Sequence, residues 1–332
     1  MCKIILVLNT LTYDYLQAED VQDMKKIDYA KLNSLIKVAD YFDSEKKCQQ
    51  ILEDSYWGDD VVCPKCGKHH CKMSESGRYH CTKCNHNFSI TVGTIFENSK
   101  LSLRQWFFVI YMITSNKKSV SSWQLARDLD ITQKTAWHIL HKIRSVFSQN
   151  DSSALTGTVE CDEMYLGGVE DNKHKSKRTE GTQGRSTKTK KPIFGMIQRS
   201  GKLVAMTVEN TKAETLMPII KQFVAENTVV YTDESKSYNR LSKENYSHEF
   251  VRHNEKEFVV DDIYTNTIEG FWSHFKKMVF GTYHFVSKKH LQRYIDEEVY
   301  RWNTRLMSES ARFKDVFEKS LTRCDYKAVV AA

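Results

Sequence analysis

Residues 63–84 read CPKCGKHHCKMSESGRYHCTKC, two Cys-x-x-Cys pairs (Cys63/Cys66 and Cys81/Cys84) with 14 residues between them. No other stretch narrows the fold so much. Four thiolates at this spacing match a tetrahedral zinc site made of two knuckles, and modules of this kind draw folding free energy from their metal. Pro64, Gly67 and Asn85 supply the tight turns that aim each pair of sulfurs inward. Four thiolates leave zinc no open position, so the metal builds structure and performs no chemistry. Cys71, His69, His70, His80 and His86 lie nearby. A histidine can replace a thiolate, but the paired spacing leaves these as surface residues. The nine cysteines, an odd number with four in metal spacing, point to a reducing compartment and not to a disulfide framework.

The 332 residues suffice for two or three domains with separate cores. No apolar run approaches the ~20 residues of a membrane span. The opening MCKIILVLNT has an apolar core of only five residues, shorter than the ~7–15 of a secretory signal. The expectation is no targeting signal and no membrane partner, with Met24 an alternative start and residues 1–26 an uncertain extension. The formal net charge of +7 is unevenly placed: residues 172–191, NKHKSKRTEGTQGRSTKTKK, hold eight Lys or Arg against Glu180 alone. With no apolar residue this segment cannot bury itself. It is either a solvated loop or a clamp for a polyanion such as DNA, since each phosphate neutralised releases counterions. Lys188, Lys190 and Lys191 are its DNA-contact candidates.

Residues 27–56 read as one or two short helices, with Leu32, Leu35, Ile36, Ala39 and Phe42 on one face. The zinc module spans 57–97. Residues 98–150 begin with a buried helix, KLSLRQWFFVIYMITSN, and continue as SSWQLARDLDITQKTAWHILHKIRSVF, which has helix-turn-helix rhythm. Leu125, Ala126 and Leu129 form the first helix. Ile131 packs the turn, where Asp130 replaces the usual glycine. Thr135 opens a second helix whose outward face holds Lys134, His138, His141, Lys142 and Arg144. An ordinary helical hairpin fits too, but after a zinc module a DNA-reading unit is favoured, with Lys134, Thr135, His138, His141 and Lys142 as contacts.

After the polar break SQNDSSALTG the pattern turns to strands alternating with helices. TVECDEMYLGG is a strand carrying Asp162, and NTVVYTDES a short apolar strand ending at Asp233. Between them PIFGMIQRS and KLVAMTVEN form a hairpin turning at Ser200–Gly201, followed by the helix TKAETLMPIIKQFVAE. HEFVRHN adds a strand, and NTIEGFWSHFKK a helix on which Glu269 and Lys276 share a face two turns apart. Asn266 with Glu269 three residues on also fits a capping box, and Glu269 can be both cap and ligand. Glu163 and Glu234 directly follow the two aspartates and so point to the opposite face. Glu160 shares the face of Asp162 but lies two residues deeper. All three are read as salt-bridge or supporting partners. Residues 288–305 form one more helix, and 309–332 a C-terminal tail.

The order of three strands, helix, strand, helix resembles the ribonuclease-H-like fold, in a multidomain α+β chain whose catalytic domain covers 156–308. Asp162, Asp233 and Glu269, with 35 residues between the last two and Lys276 seven beyond, resemble the Asp-Asp-Glu signature of cut-and-paste transposases and retroviral integrases. The blocks SYWGDDVVCPKCG, FSITVGTIFENSKLSLRQWF, CDEMYLGG, YTDESKSYNRL, TNTIEGFWSHFKK and DEEVYRWNTR are similar to those of one zinc-ribbon family of bacterial insertion-sequence transposases, related to the eukaryotic Merlin elements. The likeness runs from about residue 40 to 308. Some relatives carry Asn in place of the final acid, so Asn266 is a further candidate metal contact.

The resemblance implies a DNA transposase that binds the terminal inverted repeats of its element, cleaves DNA and transfers the freed strand. Asp162 would bridge two Mg²⁺ (or Mn²⁺) ions, Asp233 and Glu269 would each complete one, and Lys276 would hold a DNA phosphate. Without metal the three carboxylates repel and raise one another's pKa. Double-stranded DNA, both element ends and target, is the implied partner. A homo-oligomer on DNA is implied too, in the bacterial nucleoid or, in a eukaryotic host, the nucleus. Two competing readings are a non-enzymatic DNA-binding regulator derived from a transposase and a nuclease or resolvase on the same fold.

Overall fold

The computed structural model describes residues 27–74, 77–148, 153–167, 174–180, 186–251 and 263–322. The extension 1–26, parts of the basic loop (172–173 and 181–185) and the end of the tail (323–332) lie outside them.

The first half is helical around the zinc module. α1 (Leu35–Tyr41) and α2 (Glu45–Tyr56) each start at a serine, Ser34 or Ser44, whose hydroxyl accepts from a backbone N–H three residues on. α3 (Leu103–Ser115) opens with a full capping box between Ser102 and Gln105. Its Trp106, Phe107 and Ile110 are buried in a core shared with Phe42 and Leu52. Between α2 and α3, strands β1 (Cys71–Met73), β2 (Tyr79–Cys81) and β3 (His86–Phe88) form an antiparallel sheet. Trp57 packs edge-on against Tyr79 and Phe88 beneath it.

α4 (Ser122–Leu129) and α5 (Gln133–Arg144) make the helix-turn-helix pair. Asp130 takes the left-handed turn itself, at φ 52°, as a short polar side chain can. α5 starts earlier than the sequence pattern indicates: Thr132 is its cap, accepting from Thr135 N at 3.2 Å.

The second half is a five-stranded sheet in the order β6-β5-β4-β7-β8. The strands are β4 (Thr158–Gly167), β5 (Lys190–Gln198), β6 (Leu203–Thr207), β7 (Val229–Asp233) and β8 (Ser247–Val251). β4, β5 and β6 run antiparallel, whereas β7 pairs parallel with β4 and β8 parallel with β7. This order, third-second-first-fourth-fifth along the chain, is that of the ribonuclease-H-like fold. The hairpin turns at Ser200, whose φ is 58°. α6 (Ala213–Phe223) covers one face, packing on Val159, Cys161, Phe194 and Met196. α7 (Asn266–Met278) and α8 (Leu291–Asn303) cover the other, packing on Met164, Ile193, Ile197 and Leu203. Alternation along β4 decides which side chains meet which helix.

Residues 309–320, expected to belong to a tail, form a helix. α9 (Glu309–Ser320) buries Phe313, Val316 and Phe317 in the amino-terminal core, with Phe107 and Phe317 ring centroids 5.2 Å apart. The apolar spacing of those three residues is helical, and only a core already built from α1–α3 can absorb it.

Candidate active site

Asp162 and Asp233 sit side by side because of the strand register. β4 and β7 are parallel, with Thr158 opposite Val229 and Glu160 opposite Tyr231, and the same offset brings Asp162 alongside Asp233. Beyond Glu160 the β4–β7 pairing ceases, so the two aspartates stand where the strands splay. Carboxylate oxygens of Asp162, Glu163 and Asp233 all lie within 4.8 Å of one another. Glu163 points away from α7, as strand alternation requires, and accepts a hydrogen bond from the buried Tyr238 hydroxyl. At the unpaired edge of β4 its carboxylate nevertheless reaches the aspartates, so the opposite-face argument does not remove it from the cluster.

Glu269 lies in the first turns of α7 and is exposed; it falls outside that set of three. Thr265 Oγ1 donates to its Oε1 at 3.3 Å. Its charge still reaches Asp162. Burial first, then the charges of Asp233 and Glu269, push the Asp162 pKa up to about 7. The opposing donors are the Glu163 N–H and the Trp272 indole, whose Nε1 donates to Asp162 Oδ2 at 3.1 Å. Trp272 lies against the sheet only because residue 195 is glycine: a Cβ there would come within 2.7 Å of the indole.

The capping box expected between Asn266 and Glu269 does not form. The cap position is Thr265, which makes no side-chain capping bond, and Asn266 is exposed. The helix start is held instead by Glu160, fully buried on β4. Its carboxylate accepts from Thr267 N at 2.9 Å, Thr267 Oγ1 at 2.8 Å and Ile268 N at 3.1 Å. Arg199 Nε donates to it at 2.9 Å, and the same guanidinium reaches Tyr264 O and stacks 3.6 Å from the Tyr264 ring centroid. A carboxylate at a helix N-terminus satisfies orphan N–H groups and complements the helix dipole. Nothing in sequence spacing pairs Glu160 with a helix more than 100 residues later. The signal was its place on the α7 face of β4.

The four cysteines converge as their spacing requires. Cys63 and Cys84 sulfurs are 3.6 Å apart and those of Cys66 and Cys81 3.7 Å. A tetrahedron of ~2.3 Å Zn–S bonds has S···S edges of about 3.8 Å, so the residues fit the metal. Gly67 and Asn85 take matching left-handed turns at φ 66° and 55°, and their N–H groups donate to the Cys63 and Cys81 carbonyls, both at 2.9 Å.

The DNA-contact candidates divide. Lys134, Lys188 and Lys276 are exposed, Thr135 and His138 are half-buried, and Lys190 and Lys191 are half-buried within β5 and not in a loop. His141, Lys142 and Arg144 are buried and face no solvent. Lys142 Nζ donates to the Ile95 and Glu97 carbonyls at 2.8 and 2.7 Å. His141 packs between Trp137, His290 and Tyr294. Burial, then the neighbouring Arg144, brings its pKa down to about 2, so it carries no charge to offer a phosphate. Arg144 Nε meets Glu297 at 2.8 Å, and Glu297 also binds Arg301. At the end of α5 the outward face read from the sequence is an inner one: His141 and Arg144 face α8, and Lys142 faces the chain at residues 95–97. The pattern misleads because a helix packed on two sides shows a polar stripe wherever a buried counter-charge awaits it.

Two family descriptions match the chain: an ISXO2-like transposase domain over residues 154–303 and a transposase zinc-ribbon domain over 43–87. An uncharacterized protein in transposable element ISH50 of Halobacterium salinarum is 28% identical over 267 residues, covering 76% of this chain and 89% of that protein. An uncharacterized transposase-like protein of Haemophilus influenzae is 31% identical over 121 residues, 36% of this chain and 97% of that protein. Among solved structures, the simian T-cell lymphotropic virus intasome in complex with PP2A regulatory subunit B56 gamma matches at 11% identity and TM-score 0.28, covering 60% of this chain and 69% of that one. The Mos1 strand transfer complex matches at 14% and 0.26, covering 62% and 75%. At such TM-scores the strand order alone speaks for the fold. No helix among the described residues is long and apolar enough to cross a membrane. By the sequence matches over both its zinc module and its acid-bearing sheet, the chain belongs to the ISXO2-like transposases.

Proposed function

We propose that the chain cuts DNA at the ends of its mobile element and joins the freed 3′ hydroxyl to a target, with Asp162, Asp233 and Glu269 as the catalytic acids. One observation carries this reading: on a ribonuclease-H-like sheet, parallel register sets Asp162, midway along β4, beside Asp233 at the end of β7, and α7 carries a third carboxylate, Glu269. The donors are all hard carboxylate oxygens, and the acidic neighbours Asp233 and Glu269 push the Asp162 pKa up as burial does. Both features suit Mg²⁺ or Mn²⁺. Asp162 and Asp233 would hold the metal, with Glu269 on the α7 side and Glu163 as a further oxygen beside them. Bound there, a pair of such ions lowers the pKa of the attacking hydroxyl and stabilises the leaving oxygen.

The chain's own groups do the positioning. Trp272 holds the Asp162 carboxylate through its Oδ2. Glu160 and Arg199 pin the start of α7 to β4, which sets how near Glu269 can come. Exposed Lys276, two turns after Glu269, holds a DNA phosphate. The zinc ribbon and the exposed start of α5 bind the terminal repeats. Cutting two ends together calls for more than one subunit on the DNA.

The test is cleavage of a supercoiled plasmid bearing the element's ends, with Mg²⁺ or Mn²⁺, by Asp162→Ala, Asp233→Ala and Glu269→Ala. Each variant should lose cleavage by about a thousandfold or more while still binding the ends. Full cleavage by any one of them removes that residue from the site. A reaction that stops at cut DNA, with no joined product, makes the protein a nuclease.

A further inference from the structure

Past Asp162, β4 runs on to a cleft of about 220 Å³ lined by Leu166, Thr189, Phe285, Val286, Lys288 and Leu291. Leu166, Val286 and Leu291 are buried and give it an apolar floor. Phe285 is 70% exposed, an unusual state for a phenyl ring. Thr189 Oγ1 is buried, yet among the described residues it meets no hydrogen-bond partner. β4 and the chain leading into β5 close tightly here, since a Cβ on Gly167 would come within 2.7 Å of the Thr189 carbonyl. Lys288 Nζ donates to the Lys188 carbonyl at 3.5 Å, and Lys188, Lys288 and Lys289 are all exposed.

Each feature narrows the occupant. The volume is below the ~300 Å³ at which drug-sized pockets begin, so it suits one planar ring system. An exposed aromatic face offers stacking, the unpartnered hydroxyl offers one polar contact to a ring edge, and the ammonium groups at the rim suit a phosphate attached to that ring. Asp162 and Leu166 are four residues apart on a strand, about 13 Å at ~3.3 Å per residue, or about four base pairs of duplex. A base within a duplex cannot enter such a cleft unless it leaves the stack.

We propose that this cleft holds a single unstacked nucleobase of the DNA being cut, within about four nucleotides of the scissile phosphate. Phe285 stacks on the base, Thr189 Oγ1 bonds its edge, and Lys288 holds the adjoining phosphate. The inference rests on the DNA-cutting role proposed above. Holding one base outside the helix would fix the register of the strand relative to the carboxylates.

The test uses duplexes of the element's end, with one abasic nucleotide moved in turn through the positions flanking the cleavage site. On intact duplex, Phe285→Ala should weaken binding about tenfold, the worth of one stacked base. At one abasic position wild type and Phe285→Ala should bind alike, because there is no base left to stack. Phe285→Trp should behave as wild type. Phe280→Ala, at a 54% exposed ring that does not line the cleft, should show no such position. The proposal is overturned if Phe285→Ala binds as wild type, or if its defect is the same at every abasic position, while wild type still binds and cuts. Failure of wild type itself to bind or cut the ends overturns the DNA-cutting role and the base site with it.

Discussion

Glu297 on α8 and Asp162 on β4 are both carboxylates removed from bulk water, and they have opposite surroundings. Glu297 is fully buried between Arg144 and Arg301. Burial alone would raise its pKa, but those two guanidinium groups override it and bring the value down to about 2. Asp162 is partly buried among Asp233 and Glu269, and its pKa rises to about 7. The first acid has its counter-charge inside the chain and joins α5 to α8. The second has an indole and a backbone N–H as its donors, and among the described residues its charged neighbours are the acids Asp233 and Glu269. The difference separates a carboxylate paired with guanidinium groups from one whose charged neighbours are acids.

Breaking the balanced site should have the largest effect. Glu297→Gln leaves two buried guanidinium groups facing a neutral side chain, and should destabilise the protein by about 3–5 kcal/mol in urea unfolding. The pH dependence follows from the depressed value. The Glu297 contribution is fully present above the ordinary carboxylate pKa of 4.5 and fades as pH falls toward about 2. Stability should therefore drop over that window by about 3 kcal/mol more in wild type than in Glu297→Gln. Equal acid sensitivity of the two proteins would show that Glu297 is not charged in the folded state.

The contrast sharpens within one strand. Glu160 and Asp162 share a face of β4 two residues apart, but Glu160 has Arg199 and the first N–H groups of α7 as partners. Glu160→Gln keeps the oxygen and loses the charge, so it should cost about 2 kcal/mol. It should also slow cleavage while leaving end binding unchanged, because α7 carries Glu269. A variant as active as wild type would mean that α7 needs no such anchor.

What the sequence revealed tracks the range of the interactions. The zinc knuckles, the Asp162 strand and the helix-turn-helix rhythm rest on neighbours within a few residues, and each is visible as spacing. Glu160 on Thr267, Arg144 on Glu297 and α9 on α3 join residues about 100 to 200 apart. No local pattern announces them. The same limit explains why His141, Lys142 and Arg144 read as an outward face: helical periodicity shows that a stripe is polar, not that a second helix supplies its partner. The nearness of Glu163 to the two aspartates is hidden for a different reason. Alternation gives the direction of a side chain but not its reach around an unpaired strand edge.

A smaller effect is expected at the unbalanced site. Without divalent ions at pH 8, Asp162→Asn should stabilise the protein by about 1 kcal/mol, since it removes one of several repelling charges. Added Mg²⁺ should close or reverse the gap, because wild type gains an ion that the variant cannot hold. Destabilisation of the metal-free protein by Asp162→Asn would show that Trp272 and the Glu163 N–H already balance the charge.

The two ends of α5 repeat the comparison on basic residues, with the smallest effect. Lys142 near the last turn spends its charge on the Ile95 and Glu97 carbonyls, whereas Lys134 in the first turn is exposed. If Lys134 meets a phosphate, Lys134→Ala should weaken DNA binding a fewfold and lower the slope of log affinity against log salt by about 1. Lys142→Met should lower stability and leave that slope unchanged, because a cation already bonded inside the fold releases no counterion when DNA arrives. A slope that falls with Lys142→Met and not with Lys134→Ala would reverse the assignment of the two ends and place the inner face of α5 against DNA.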